Sequence, residues 1–294
     1  MYAIECKNLT HYYGKKLIYE NLSFNVEEGK ILGLLGKNGT GKSTTINILN
    51  GFLQPTEGEC LIYGENSQKL SPATKMRIGF LIEGHIQYSF MNIHQIEKFY
   101  SGFYPRWNSA PYWELMSKLK VTPRQKISNM SCGQRSQVAL GLILAQDPDL
   151  LILDDFSMGL DPGYRRLFID YLREYAKAEQ KTIFTTSHII QDMERLIDDV
   201  LIMDFNRILA QQPIEKFMSD FKQFVIHLEN HNTIIPETDM AVNIERVKDT
   251  IEFYTYATAE EVKAFLAERA IGFTDFRERK MSLEDAFIGL TRKY

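Results

Sequence analysis

Apolar and polar residues alternate from the first positions of the chain. YAIECKNL (2–9) and LSFNV (22–26) both carry the two-residue period of a strand with one buried face. A Glu27–Glu28–Gly29 turn leads into ILGLLG (31–36), a short apolar run bounded by glycine, the pattern of a fully buried strand. After Lys42 the pattern changes, and STTINILNG is predicted to be a helix that stops at Gly51. GECLIYG (58–64) and RIGFLIE (77–83) are predicted strands. Between 85 and 130, in FMNIHQIEKFYSGFY and PYWELMSKLK, aromatics and methionines recur at helical spacing and predict a mostly helical insert. SCGQRSQVALGLILAQ (131–146) is one long predicted helix, ended by Asp147–Pro148. LLILDD (150–155) and KTIFTTSH (181–188) are predicted buried strands with a helix over about 163–178 between them, and DDVLIMDFNRILAQ is a closing hairpin around Asn206.

Strands that alternate with helices predict an α/β fold on a parallel sheet. After about residue 212 a smaller α/β unit follows, with strands at FVIHLE and TIEFYTY and helices at AEEVKAFLAER and LEDAFIGL. The expected division is 1–212 and 213–294, and 294 residues suit one large domain with an appendage. An apolar fraction of 44% is ample for a core, and a net charge of −4 counts against a general binder of nucleic acid or anionic lipid. Cys6, Cys60 and Cys132 show no metal spacing or disulfide framework, which fits a reducing compartment. No apolar run reaches the roughly 18–20 residues that cross a bilayer. The start, MYAIECKNLT, lacks the apolar core of a signal peptide. The chain is therefore expected in the cytoplasm, with any membrane role supplied by a partner.

Two segments carry chemistry. GKNGTGKS (36–43) fits G-x-x-x-x-G-K-[ST] and lies between a predicted strand and a predicted helix, the context of a phosphate-binding loop. Its glycines let backbone N–H groups turn toward phosphate oxygens, and the helix N-terminus adds partial positive charge. Asn38, Gly39, Thr40, Gly41, Lys42, Ser43 and Thr44 are the expected nucleotide contacts. Lys42 would reach the β- and γ-phosphates, and the Ser43 hydroxyl would ligate Mg²⁺. LILDDFSMGLD (151–161) is a buried strand ending in Asp154 and Asp155, and Asp154 is the expected magnesium partner.

The segment MSCGQRSQVALGLILAQDP (130–148), just before LLILDD, resembles the signature motif and helix of the ABC (ATP-binding cassette) transporter ATPases, and the resemblance covers most of residues 3–210 in order. It implies a P-loop NTPase fold with a parallel core sheet, an antiparallel β subdomain, a helical subdomain at about 85–145 and a small C-terminal α/β appendage. It implies that Tyr13 stacks on adenine, with Tyr12 as the alternate, and that Glu83 stands at the Q-loop glutamine, near Mg²⁺. It further implies that Ser131, Cys132, Gly133 and Gln134 form the signature, that Gly159, Leu160 and Asp161 form the D-loop, and that His188 is the switch histidine. In that family two chains dimerise head to tail, each ATP lying between the phosphate loop of one and the signature of the other, and the motion is passed to a membrane permease. GKNGTGKST, FYPRWN (103–108) and SLEDAFIGL are similar to the exporter-type subgroup that serves ABC-2-like permeases. The implied protein is a cytoplasmic ATPase subunit, peripheral on the membrane through its permease, using ATP and Mg²⁺ and no nucleic acid. The alternative is a soluble ATP-switched dimerisation module.

The sequence departs from the family pattern at four positions. Cys132 replaces a glycine, Phe156 the usual proline, and Glu83 a glutamine. Asp155 stands where the family has the glutamate that polarises the attacking water, and its carboxylate falls roughly 1–1.5 Å short, a misplacement that can cost about 10²-fold. Two outcomes follow. Either the site hydrolyses slowly, with His188 and Glu83 helping to hold the water, or it binds ATP and a partner chain with a complete glutamate does most of the hydrolysis.

Overall fold

The computed structural model describes residues 1–81, 88–157, 159–230 and 233–292. It divides into two compact units, Met1–Ile208 and Leu209–Tyr294.

The first unit opens with β1 (Tyr2–Tyr13) and β2 (Lys16–Glu27), paired antiparallel with Cys6 opposite Phe24 and Tyr13 opposite Lys16. Both strands outrun the alternating stretches. Register shifts on either side of Leu9, and Asn8 at φ 50°, break the two-residue period while the ladder continues. Next come β3 (Ile31–Gly36), α1 (Lys42–Leu49), β4 (Glu57–Ile62) and β5 (Glu65–Asn66). One antiparallel sheet runs β2-β1-β4-β5.

The short α2 (Pro72–Lys75) and β6 (Ile78–Leu81) precede the helical region, α3 (Ile93–Ser101), α4 (Ser109–Lys118) and α5 (Cys132–Ala145). The aromatic content of this region divides between core and surface. Tyr112 is fully buried and donates its hydroxyl to the Ile93 carbonyl at 2.7 Å, whereas Phe90 and Phe103 are 69% and 65% exposed.

Then follow β7 (Leu150–Asp154), α6 (Pro162–Ala178), β8 (Thr182–Thr186), α7 (Ile190–Leu196), β9 (Asp199–Asp204) and β10 (Arg207–Pro213). The turn between β9 and β10 holds Asn206 at φ 71°, a left-handed conformation that asparagine tolerates. The second sheet has the order β10-β9-β3-β8-β7-β6, and every pairing from β9 to β6 is parallel. The carboxyl ends of β3, β8 and β7 therefore open at one edge, the position where parallel α/β sheets bind ligands.

The second unit contains α8 (Ile214–Asp220), β11 (Lys222–Leu228), β12 (Val242–Val247), β13 (Thr250–Thr255), α9 (Ala259–Glu268), β14 (Phe273–Arg279) and α10 (Leu283–Thr291). Its strands form an antiparallel sheet of order β12-β13-β11-β14. Phe224, Ile226 and Phe253 from the sheet pack with Val262, Phe265 and Leu266 of α9. Among the described residues no helix is long and apolar enough to cross a membrane.

Candidate functional site: a cleft at the carboxyl edge of the parallel sheet

Between β3 and α1 the chain must turn sharply while keeping its amides available. Gly41, the N-cap of α1, has φ 102°, and a Cβ there would come within 2.7 Å of the Tyr19 ring. Only glycine meets both conditions. Behind the loop, Tyr19 is fully buried, and its hydroxyl lies 3.4 Å from Thr45 Oγ1 in α1. The Thr40 side chain is also fully buried; it donates to the Lys37 carbonyl at 2.9 Å and holds the loop closed instead of lining the cleft.

The cleft has a volume of about 300 Å³ and is lined by Asn38, Gly39, Gly41, Lys42, Ser43 and Thr44 on one side and by Asp154, Asp155 and His188 on the other. Tyr13, Lys16 and Ile18 of the β1–β2 hairpin complete it. Tyr13 is half exposed and meets His11 edge-on at 4.8 Å; Tyr12, also exposed, is not part of the lining. Lys16 and Ile18 escaped the sequence reading. Their signal was the hairpin itself, which sets Lys16 directly opposite Tyr13.

Lys42 bends back over its loop and donates to the carbonyls of Gly36 at 2.6 Å and Lys37 at 3.1 Å. Burial lowers its pKa, and the charges of Asp155 and Asp154 partly oppose that fall. Across the cleft, burial raises the pKa of Asp154, whose carboxylate accepts the Thr186 hydroxyl from the end of β8. Each group thus sits where its charged form is disfavoured, an environment that a bound phosphate on one side and a bound cation on the other would relieve.

Asp155 is buried and takes a left-handed backbone conformation, φ 46°. Its carboxylate is held by one neighbour. The His188 backbone N–H donates to Oδ1 at 2.8 Å, and His188 Nε2 lies 3.0 Å from Oδ2. The imidazole itself is 55% exposed and faces the cleft, so Asp155 is oriented by a side chain that a bound nucleotide can touch. Phe156, in place of proline, is buried. Glu83 lies outside the described residues.

None of Ser131, Cys132, Gly133 or Gln134 lines this cleft. Ser131 caps α5, and its hydroxyl and the Gln134 side chain form a reciprocal capping box, with both bonds at 3.1 Å. Gly133 packs on the stretch after β7. A Cβ at Gly133 would lie 2.7 Å from the Gly159 carbonyl oxygen and 2.9 Å from the Leu160 side chain. Asp161 is the exposed N-cap of α6, where its side chain makes no capping bond. Apart from Thr40, Tyr12 and Glu83, the described site residues from the sequence fall into two groups: one lines the cleft, and the other lies at the start of α5 and in residues 159–161 beside it.

Comparison with known proteins shows the family and the fold. A family model described as ABC transporter matches residues 19–157. The chain is 30% identical to a Nod factor export ATP-binding protein I from Cupriavidus metallidurans, over 98% of this chain and 97% of that protein. It is 28% identical to the bacitracin transport ATP-binding protein BcrA of Bacillus licheniformis, over 98% and 96%. Among solved structures, an ATP-binding subunit of an ABC transporter aligns with a TM-score of 0.64 at 24% identity, covering 74% of this chain and 92% of that one. A dimeric ATP-binding cassette in a post-hydrolysis state, bound to ADP and Pi, aligns with a TM-score of 0.61 at 21% identity, covering 72% and 98%. At these identities the solved structures speak for the fold.

Proposed function

The chain belongs to the ABC transporter ATP-binding proteins, and on that premise we propose that it binds ATP–Mg²⁺ in the cleft, pairs head to tail with a second ATP-binding subunit and drives a membrane permease in export. The observation that carries this reading is the separation of the two groups. Lys42, Ser43, Asp154, Asp155 and His188 share one cleft, while the α5 N-terminus, capped by Ser131, is not part of its lining. A signature that cannot serve its own nucleotide can serve that of a second copy.

In this scheme the N-terminus of α1 and Lys42 hold the phosphates, and Tyr13 stacks on the base. Ser43 and Asp154 fit Mg²⁺, which commonly takes one or two protein oxygens and completes its shell with phosphate and water. A cation held by these two residues would supply charge neutralisation for phosphoryl transfer. Asp155, aligned by His188, orients the attacking water, and Glu83 supplies a further carboxylate. The names of the export relatives support the direction of transport.

The test is sedimentation velocity with and without ATP–Mg²⁺. The expected result is a nucleotide-dependent shift from monomer to dimer. Gly133→Val should abolish the shift, because its side chain must displace Gly159 and Leu160, while ATP affinity of the single chain stays within about twofold. A monomer at saturating ATP overturns the head-to-tail reading.

The surface proposed for the permease is aromatic. Tyr88, Phe90, Phe99 and Phe103 are exposed around α3, with Tyr88–Phe99 and Phe99–Phe103 centroids 5.2 Å and 5.1 Å apart. Contiguous exposed rings of this kind mark interaction sites, and burying each is worth about 1.5–3 kcal/mol. Replacing Phe90 and Phe103 together by glutamate is expected to reduce co-purification with a co-expressed cognate permease at least about tenfold. ATP turnover of the free chain should not change. Undiminished recovery would move the docking surface elsewhere.

A further inference from the structure

Outside the cleft, the described structure contains a buried carboxylate that the scheme above does not use. Asp192, in the first turn of α7, is 7% exposed. Its Oδ2 accepts the hydroxyl of Ser157, 2% exposed, at 2.9 Å, and its Oδ1 meets Arg165 Nε at 3.1 Å. These partners flank residues 159–161 on both sides. Ser157 stands two positions after Asp155 at the end of β7, and Arg165 lies in the first turn of α6, where its backbone N–H donates to the Asp161 carbonyl at 2.9 Å. One carboxylate thus clasps both ends of the segment that packs on Gly133. The helix that carries Asp192 starts directly after His188, since Ile189 is its N-cap.

Two rungs consequently join the same pair of segments. In the cleft, Asp155 binds His188; behind it, Ser157 binds Asp192. We propose that Asp192 is a positioning residue that ties the His188 segment to the 159–161 segment, and through it to the signature surface offered to the second subunit. The proposal rests on the functional reading above. Its physical basis is rigidity: a buried carboxylate with each oxygen fixed by a separate element cannot shift without leaving the Arg165 charge uncompensated. A displacement of His188 by the γ-phosphate is therefore carried to residues 159–161, and a displacement of that surface by the partner returns to His188.

The experiment compares Asp192→Asn, Asp192→Glu and Ser157→Ala with wild type by amide hydrogen exchange, single-chain ATP affinity and steady-state ATP turnover. For Asp192→Asn, exchange is expected to rise at 159–165 and at 131–137. Turnover should fall roughly tenfold or more, the order that sub-ångström to 1 Å misplacement produces, with ATP affinity within about twofold of wild type. Ser157→Ala, a small change that leaves the ion pair, should show a weaker form of the same pattern. Combining it with Asp192→Asn should cost less than the product of the two effects. Asp192→Glu, which keeps the charge, should recover part of the turnover. Unchanged exchange at 159–165 in both Asp192→Asn and Ser157→Ala overturns the proposal, as does a loss of affinity in step with turnover, the mark of general damage. A Lys42→Ala chain judges the functional reading separately. If wild type binds ATP no more tightly than Lys42→Ala, that reading fails, and the exchange data alone decide the clamp.

Discussion

Lys42→Ala is expected to abolish nucleotide-dependent behaviour while leaving the fold intact. The ammonium lines the cleft and is positioned by its own loop, through bonds to the Gly36 and Lys37 carbonyls. Charge-assisted bonds to phosphate are the strong ones, and removing one preorganised donor from a transition state costs about 10²–10³-fold in rate. Turnover should fall by at least that factor. The sign of the stability effect follows from the pKa. Burial lowers that of Lys42, so the folded state disfavours the charged form, and at neutral pH the protonated side chain lends the fold no net electrostatic stability. The thermal midpoint of the nucleotide-free protein should therefore not drop on replacement by alanine. The midpoint gain on adding ATP–Mg²⁺, which follows mass action on the folded state, should vanish. A variant that keeps this gain, or one already unfolded without nucleotide, would contradict the assigned role.

What the sequence disclosed and what it hid divide along the range of the interactions. The phosphate loop was legible because strand, turn and helix signals follow one another between Ile31 and Leu49 and must agree for the loop to form. The paired aspartates were legible because carboxylates that end a buried aliphatic run are costly unless something partners them. β12 and β14 were missed because they are the edges of the second unit's sheet, where VNIERV and FTDFRER are only partly buried and carry charge at positions a central strand would fill with aliphatics. α7 was missed because it is short and begins directly after His188. The neighbour relation β3-β8-β7, which brings Lys42, Asp154 and His188 to one edge, comes from long-range pairing, with Ile31 of β3 opposite Ile183 of β8, and the Thr186–Asp154 and Ser157–Asp192 contacts join residues 32 and 35 positions apart. No local pattern encodes them. In the helical region, periodicity identified helices but not their outer faces, so Tyr112 and Phe103 looked alike until one proved buried and the other exposed.

Asp155→Glu is expected to raise turnover about tenfold or more, and Asp155→Asn to lower it to the level of Lys42→Ala. The wild-type carboxylate is confined: both oxygens are held by His188, and the backbone at φ 46° suits aspartate, whose short polar side chain tolerates the left-handed region. An added methylene carries the carboxylate roughly 1–1.5 Å further from the backbone, the scale on which rates change by about 10²-fold. Part of that gain is lost because glutamate fits the left-handed conformation less well and must give up the short bond to the His188 amide. The asparagine variant keeps the size and the amide bond but removes the charge and the basicity, and a positioned base contributes about 10²–10⁴-fold. The three rates together separate the outcomes that the sequence left open. If wild type lies well above asparagine and below glutamate, Asp155 is a working but short catalytic carboxylate, and two copies of this chain suffice for a motor. If wild type and asparagine are equally slow and only glutamate turns over, the wild-type site binds ATP as a switch, and hydrolysis falls to a partner subunit that completes its own site with Ser131 and Gly133 of this one. If asparagine matches an active wild type, the base is another group, and Glu83 is the residue to replace next.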